Sequence, residues 1–303
     1  MEENVLEVSG LTKYFGKTKV LDSVSFCVKK GEVFGLVGES GCGKTTLGRT
    51  ILGIYPSDGG SARFGGVELL GLKGRKRKEM TKRIQMIFQD PIASLNPRMT
   101  VGEIVAEGLI VHGEKDKSMI AEKVKKAILD VGMPISALSR YPHEFSGGQR
   151  QRIGIARAIV LQPDLIIADE PVSALDVSVQ AQVINLLSDL KESLGLTVLF
   201  VAHDLSVVKY FCDRVAVMYA GQIVELAPSK KLFSSPKHDY TKSLLSAIPV
   251  PDPKKAKRLK RIPFEGKIGE NIGAGTDLTE ISSGRYVRIK AWNDGEGKED
   301  AKE

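Results

Sequence analysis

The sequence predicts an α/β fold: a mostly parallel sheet covered by helices on both faces, with an antiparallel β layer near the start and a helical insertion in the middle. Three observations carry this. Strand-type apolar runs alternate with amphipathic helical stretches, the pattern of strand–helix–strand units whose sheet is buried on both sides. A glycine-rich phosphate-loop signature stands between one such run and the helix that follows it. With 42% hydrophobic residues in 303, the chain can bury a real core as one large domain or two linked ones.

Taken in order, the alternation of Val24, Phe26 and Val28 predicts a half-buried strand, and the unbroken apolar run 33–37 a second one. Residues 38–43 form a loop, and a helix starts at Lys44. Residues 56–60 read as turns, Gly65-Gly66 as a hairpin and 84–88 as a further strand. From Thr100 to about Leu161 the pattern is helical, over 101–112, 118–131 and 147–161, with Pro134 and Pro142 in the connections. Strand-type runs return at 165–168, 198–201 and 215–218. Between the first two, Val179, Val183, Leu187, Leu190 and Leu194 recur at spacings of four and three, which predicts an amphipathic helix. Beyond Pro249 the composition shifts to Pro, Lys, Gly and acids, and a loosely ordered tail is expected.

Charge narrows the function classes. The chain carries a net +7, but residues 73–83 and 254–267 each contribute seven basic residues against one acid, so the remainder stands at −5. An acidic body with two basic outgrowths is a poor nucleic-acid binder, and the run 73–83 has no aromatic partner for base stacking. The expectation is no nucleic acid, with anionic lipid headgroups as a partner for the basic runs. No apolar run approaches the ~20 residues of a membrane span, and the N-terminus lacks a basic segment followed by an apolar one. Three widely spaced cysteines, Cys27, Cys42 and Cys212, suit a reducing compartment.

Gly38-Glu39-Ser40-Gly41-Cys42-Gly43-Lys44-Thr45 fits G-x-x-x-x-G-K-[ST] in the strand-to-helix setting the motif needs. Its glycines let backbone N–H groups converge on phosphate oxygens, and the helix terminus adds positive dipole. Lys44 is then the phosphate-bridging cation and Thr45 a Mg²⁺ ligand, with Thr46 the next nucleotide-binding residue. The strand at 165–168 runs into Asp169 and Glu170, which places two carboxylates at the sheet edge where ligands bind. Asp169 is expected to hold Mg²⁺ through water and Glu170 to polarise the attacking water. His203 ends another strand at the same level and can meet a terminal phosphate. Ser146, Gly147, Gly148 and Gln149 precede a long helix and form a second anion-binding terminus with Ser146 as N-cap. Two helix termini and one triphosphate imply a composite site, hence a two-fold head-to-tail dimer with ATP at the interface.

On these residues the chain resembles the ATP-binding subunits of ABC transporters, over residues 4 to about 253. Ser146 to Gln149 are similar to that family's signature, Gln89 to its nucleotide-sensing glutamine at the magnesium ion, Ser173-Ala174-Leu175-Asp176 to its dimer-contact loop and His203 to its switch histidine. Tyr14 resembles the aromatic that stacks on adenine. The segments 89–100, 141–146 and 238–251 narrow the resemblance to the oligopeptide and dipeptide importers. It implies a P-loop NTPase core with an antiparallel β subdomain and a helical insertion, the ABC ATPase cassette, plus a short C-terminal extension. The corresponding division is a nucleotide-binding core at 1–90 and 161–230, a helical subdomain carrying the signature at 91–160 and an extension at 231–303.

By the same resemblance, Glu170, His203 and Gln89 are the catalytic set and ATP with Mg²⁺ the cofactors. Two transmembrane permease subunits, a second ATP-binding subunit that is a paralogue or a copy, and an extracytoplasmic solute-binding protein are the partners. The cytoplasmic face of the membrane is the location. Importers of this kind carry peptides most often, with relatives that move nickel or oligosaccharides. Two residue patterns depart from the subgroup: Ile92 stands where an aromatic is common, and residues 252–303 lack the cysteine cluster of many relatives, so no iron–sulfur centre is expected. A chromosome-maintenance or repair ATPase of this fold would need long coiled coils between the phosphate loop and the signature, where only about a hundred residues lie.

Overall fold

The computed structural model describes residues 3–247, 262–264 and 278–288. Twelve strands and nine helices are described. β1 (Asn4–Phe15) and β2 (Thr18–Lys29) form a hairpin, and β3 (Val33–Val37) leads into α1 (Lys44–Ile51). β4 (Gly59–Phe64), β5 (Val67–Glu68), α2 (Gly74–Arg83) and β6 (Ile84–Ile87) follow. Next come α3 (Val101–Val111), α4 (Lys117–Asp130) and α5 (Gly147–Ile159), then β7 (Leu165–Asp169), α6 (Val177–Leu194), β8 (Thr197–Ala202) and α7 (Leu205–Phe211). The chain continues with β9 (Arg214–Tyr219), β10 (Gln222–Pro228), α8 (Ser229–Ser234) and α9 (Asp239–Ser246), and the described residues end on β11 (Leu278–Ser282) and β12 (Arg285–Arg288).

These make two sheets, one antiparallel in the order β2-β1-β4-β5 and one of eight strands in the order β11-β12-β10-β9-β3-β8-β7-β6. The run from β9 to β6 is parallel, and β10, β12 and β11 add to it antiparallel. Strand periodicity sorts the core. Phe34, Leu36, Ile167, Leu199 and Val201 face the antiparallel sheet, where they meet Leu6, Leu11, Val24 and Leu47 of α1. Their neighbours Val33, Val37, Ile166, Ala168, Val198 and Phe200 face the other way, onto Ile104, Ile153 and Val183 of the helical layer. Every residue of β3, β7 and β8 is buried, as a central parallel sheet requires. Phe200 is inaccessible to solvent and packs edge-on against Phe211 with centroids 5.0 Å apart. Phe200→Ala is expected to cost about 3–5 kcal/mol of unfolding free energy, measured by denaturant titration.

The helical layer is capped as its sequence suggests. Thr100 and Glu103 form a reciprocal box on α3, and Asp116 accepts from the Ser118 and Met119 N–H groups of α4. No helix among the described residues is long and apolar enough to cross a membrane.

Two expectations are corrected. The basic run 73–83 lies between the hairpin expected at Gly65-Gly66 and the strand expected at 84–88, a stretch read as a connection with no element of its own, but it forms α2: Lys and Arg are good helix formers, and Met80 anchors the helix on the core beside Ile51 and Ile84. Residues 278–288 fall in the expected loose tail, yet they form a hairpin paired to β10. Arg285 reaches back to Glu225, which is fully buried, at 2.9 Å, and that ion pair ties the hairpin to the sheet. The seven lysines and arginines of the second basic run, 254–267, lie outside the described residues.

Candidate functional site

The phosphate loop leaves the C-terminal end of β3 and runs into α1. Glycine is required at Gly43, where φ is +110° and a Cβ would stand 2.8 Å from the Val20 carbonyl oxygen. At Gly38 a Cβ would approach the Met218 carbonyl oxygen to 2.2 Å, so only a bare backbone passes β9. The Gly221 N–H donates to the Cys42 carbonyl at 3.0 Å and braces the loop from the β9–β10 turn. Lys44 is buried and arches over the loop, its ammonium donating to the Gly38 and Glu39 carbonyls at 2.8 and 2.9 Å. Burial also pushes the Cys42 thiol upward, so it remains a small neutral filler.

The acid pair comes from β7. The Asp169 Oδ1 accepts the Thr45 hydroxyl at 2.8 Å, while its Oδ2 is buried without a hydrogen-bond partner. Burial holds this carboxyl above the usual range, against the Thr45 hydrogen bond and the Arg49 and Lys44 charges that pull it down. Because β6 and β8 flank β7, the residues just beyond each strand arrive on either side of Glu170. The Gln89 Nε2 donates to Glu170 Oε2 at 3.1 Å, and His203 Nδ1 lies 2.9 Å from the same oxygen. An ionised carboxylate only accepts, so this pair puts the imidazole proton on Nδ1. Lys44 Nζ stands 4.0 Å from Glu170 Oε1.

Glu170 itself has φ +46°, a left-handed conformation costly for a side-chain-bearing residue. Its N–H donates to the Val201 carbonyl at 2.9 Å, and its own carbonyl accepts from the Ser173 N–H and hydroxyl at 3.2 and 3.1 Å. The neighbouring chain therefore over-determines the strained residue, and its carboxylate is aimed at the loop.

Ser40, Gly41, Gly43, Lys44, Thr45 and Thr46 share a cleft of ≈ 350 Å³ with Gln89, Glu170 and His203. Val20 lines it as well; no sequence signal marked it, since it reads as an ordinary strand residue. Arg157 of α5 was also missed: it donates to the Ser94 carbonyl and stacks over Phe88, centroid 5.6 Å away, which joins the signature helix to the segment after Gln89.

Two predicted groups lie outside this cleft. Tyr14, 40% exposed, sits opposite Lys19 in the β1–β2 hairpin with its N–H on the Asp58 carboxylate at 2.6 Å. Ser146 caps α5 in a reciprocal box with Gln149. Gly147 and Gly148 pack on Leu175 and Val179, and a Cβ on Gly148 would come within 2.3 Å of Val179 Cγ1. Within a single chain, the N-terminus of α5 is thus not among the residues that line the cleft.

A braced phosphate loop, a strand-end acid pair, a glutamine and a histidine on one carboxylate, and a separate glycine-led helix terminus are the parts of an ATP-binding cassette of the ABC type. The comparisons agree. The sequence matches the ABC transporter family over residues 21–173 and the oligopeptide/dipeptide transporter C-terminal region over residues 224–276. It is 50% identical to the oligopeptide transport ATP-binding protein OppF of Bacillus subtilis (strain 168), covering 95% of this chain and 96% of that one. It is equally 50% identical to the oligopeptide transport ATP-binding protein AmiF of Streptococcus pneumoniae serotype 4, covering 95% of each chain. Among solved structures, cbiO1 from Clostridium perfringens, part of the ABC transporter complex cbiONQ, superposes with a TM-score of 0.70 at 28% identity over 77% of this chain and 92% of that one. A dimeric post-hydrolysis state of the cassette MJ0796 bound to ADP and Pi gives 0.67 at 26% identity, over 74% and 98%. The chain belongs to the ATP-binding subunits of ABC transporters, in the oligopeptide/dipeptide group, and is an ATPase coupled to transport.

Proposed function

We propose that this chain hydrolyses ATP to power the import of di- or oligopeptides. The observation that carries the reading is the convergence of Lys44, Thr45, Gln89, Glu170 and His203 on one cleft, while Ser146, Gly147, Gly148 and Gln149 stand apart from it. The separation supports a head-to-tail pair in which the cleft of one subunit faces the α5 terminus of the other across ATP. Lys44 and the loop amides bind the phosphates. Glu170 orients the attacking water and takes its proton, and His203 and Gln89 fix the Glu170 carboxylate through its Oε2. The division into a core (1–90 and 161–230), a signature-bearing helical part (91–160) and an extension (231–303) belongs to this reading, as does Tyr14 at the adenine.

Mg²⁺ suits the residues present. The orphaned Asp169 Oδ2 beside the Thr45 hydroxyl is an acceptor left over for a cation. Thr45, Gln89 and Asp169, the last through water, would hold it. When bound, the ion neutralises phosphate charge.

The partners in this reading are two transmembrane permease subunits, a second ATP-binding subunit and, indirectly, an external solute-binding protein, with the chain peripheral on the cytoplasmic face. Ile92, 63% exposed in the turn that Asp90 organises just after Gln89, offers an apolar contact to a permease. The exposed Arg75, Lys76, Lys78 and Lys82 of α2 offer charge to anionic headgroups. The test is purification from membranes with the subunits encoded beside it. Expected is a complex whose ATPase rises when peptide-loaded binding protein is added; a chain that leaves the membrane subunits, or an ATPase indifferent to peptide, sinks the reading.

A further inference from the structure

We propose that Tyr240, in the extension, is a positioning residue for the phosphate loop: its phenol oxygen sets the orientation of the Gly38–Glu39 peptide, and through it the place of Lys44. The inference rests on the reading of residues 38–46 as the ATP-binding loop. Tyr240 lies on α9, 201 residues from Glu39 in sequence, yet its Oη accepts the Glu39 N–H at 3.1 Å. The carbonyl of the same peptide unit, that of Gly38, accepts the Lys44 ammonium at 2.8 Å. In a trans peptide the N–H and C=O point in opposite directions, so Tyr240 and Lys44 hold one peptide plane from its two sides. With the N–H turned to Tyr240, the carbonyl must face Lys44. Without that acceptor the plane is held from one side only, and the carbonyl that fixes the lysine's amine over the loop is less firmly oriented.

The phenol is itself rigidly placed. Tyr240 is 1% exposed, and its ring lies 4.5 Å from that of Tyr219 and 5.3 Å from that of Phe264. Tyr219 ends β9, next to the turn whose Gly221 N–H braces the Cys42 carbonyl. Phe264 comes from the extension and also meets Tyr219 edge-on at 5.2 Å. Burial pushes the phenol well above its ordinary range, so Oη stays a neutral, fixed group. The loop is therefore clamped at two backbone points, Cys42 from the β9–β10 turn and Glu39 from the extension. Preorganisation of this kind acts on affinity by removing conformations the ligand would otherwise have to select against.

The test is ATP binding by the purified full chain, with Tyr240→Phe to remove the oxygen and keep the ring, and Phe264→Leu to disturb packing and keep the oxygen. For the loss of one hydrogen bond, the Tyr240→Phe Kd for ATP is expected to rise about three- to tenfold, with a nearly unchanged melting temperature. Phe264→Leu is expected to lower the melting temperature and leave the Kd near the wild-type value. In the wild type, the selectively labelled Glu39 amide is expected to exchange with solvent more slowly than the Ser40 amide, a readout that needs no variant. Wild-type affinity in Tyr240→Phe, equal weakening in Phe264→Leu, or an unprotected Glu39 amide overturns the proposal while leaving the ATP-binding reading intact. A wild-type chain that binds no ATP overturns that reading and the proposal with it.

Discussion

Glu170→Gln is expected to lower ATP turnover by about 10²–10⁴-fold, the usual contribution of a general base, and to leave ATP binding intact. Glutamine keeps the side chain's length and one carbonyl oxygen that can still accept from Gln89 and His203, so the geometry built on Glu170 Oε2 is preserved. What disappears is the ability to take a proton from water. The strained backbone at φ +46° is held by Val201 and Ser173 through main-chain groups of residue 170, so it does not depend on the carboxylate. Binding without hydrolysis should accumulate the closed pair, seen as an ATP-dependent dimer on gel filtration. Turnover at the wild-type rate would remove Glu170 from the chemistry.

Lys44→Ala is expected to weaken ATP binding by at least about tenfold, and more where several charge-assisted hydrogen bonds to phosphate are lost together, at ~1.5–3 kcal/mol each. The ammonium is buried, and when it goes the Gly38 carbonyl loses its partner while the Glu39 carbonyl keeps only the Cys42 N–H at 3.3 Å. The effect should therefore combine a lost phosphate contact with a loosened loop. Titration calorimetry reads the affinity, and an unchanged Kd would contradict the placement of phosphate at Lys44. The two substitutions separate cleanly: Lys44→Ala acts on binding, and Glu170→Gln on the step after it.

Much of the fold was legible because its signals are local. The phosphate loop is eight consecutive residues between an apolar run and a helix, and β3 and α1 appear where that pattern put them. The buried strands β7 and β8 announce themselves as apolar runs, and α6 by its spacing of apolar residues. The segments missed lack such local contrast. α2 is so charged that its helical character is carried by propensity and by Met80 alone. The hairpin of β11 and β12 has alternation too short to stand out, and it is held by Arg285 reaching a carboxylate 60 residues away.

The sequence by itself determined the chemistry available: a lysine and a threonine in a glycine-rich loop, two carboxylates at the end of a strand, a histidine at the end of another, and a second glycine-led helix terminus. Only the tertiary structure decided which of these meet. Gln89 and Glu170 are 81 residues apart and Glu170 and His203 are 33 apart, but β6, β7 and β8 are adjacent and parallel, so the residues following them share one sheet edge. The α5 terminus packs instead on Leu175 and Val179 and does not line the cleft at that edge. The reason is physical: side-chain identity is a property of the chain, whereas proximity comes from strand order and register, which are fixed by burying both faces of the sheet at once.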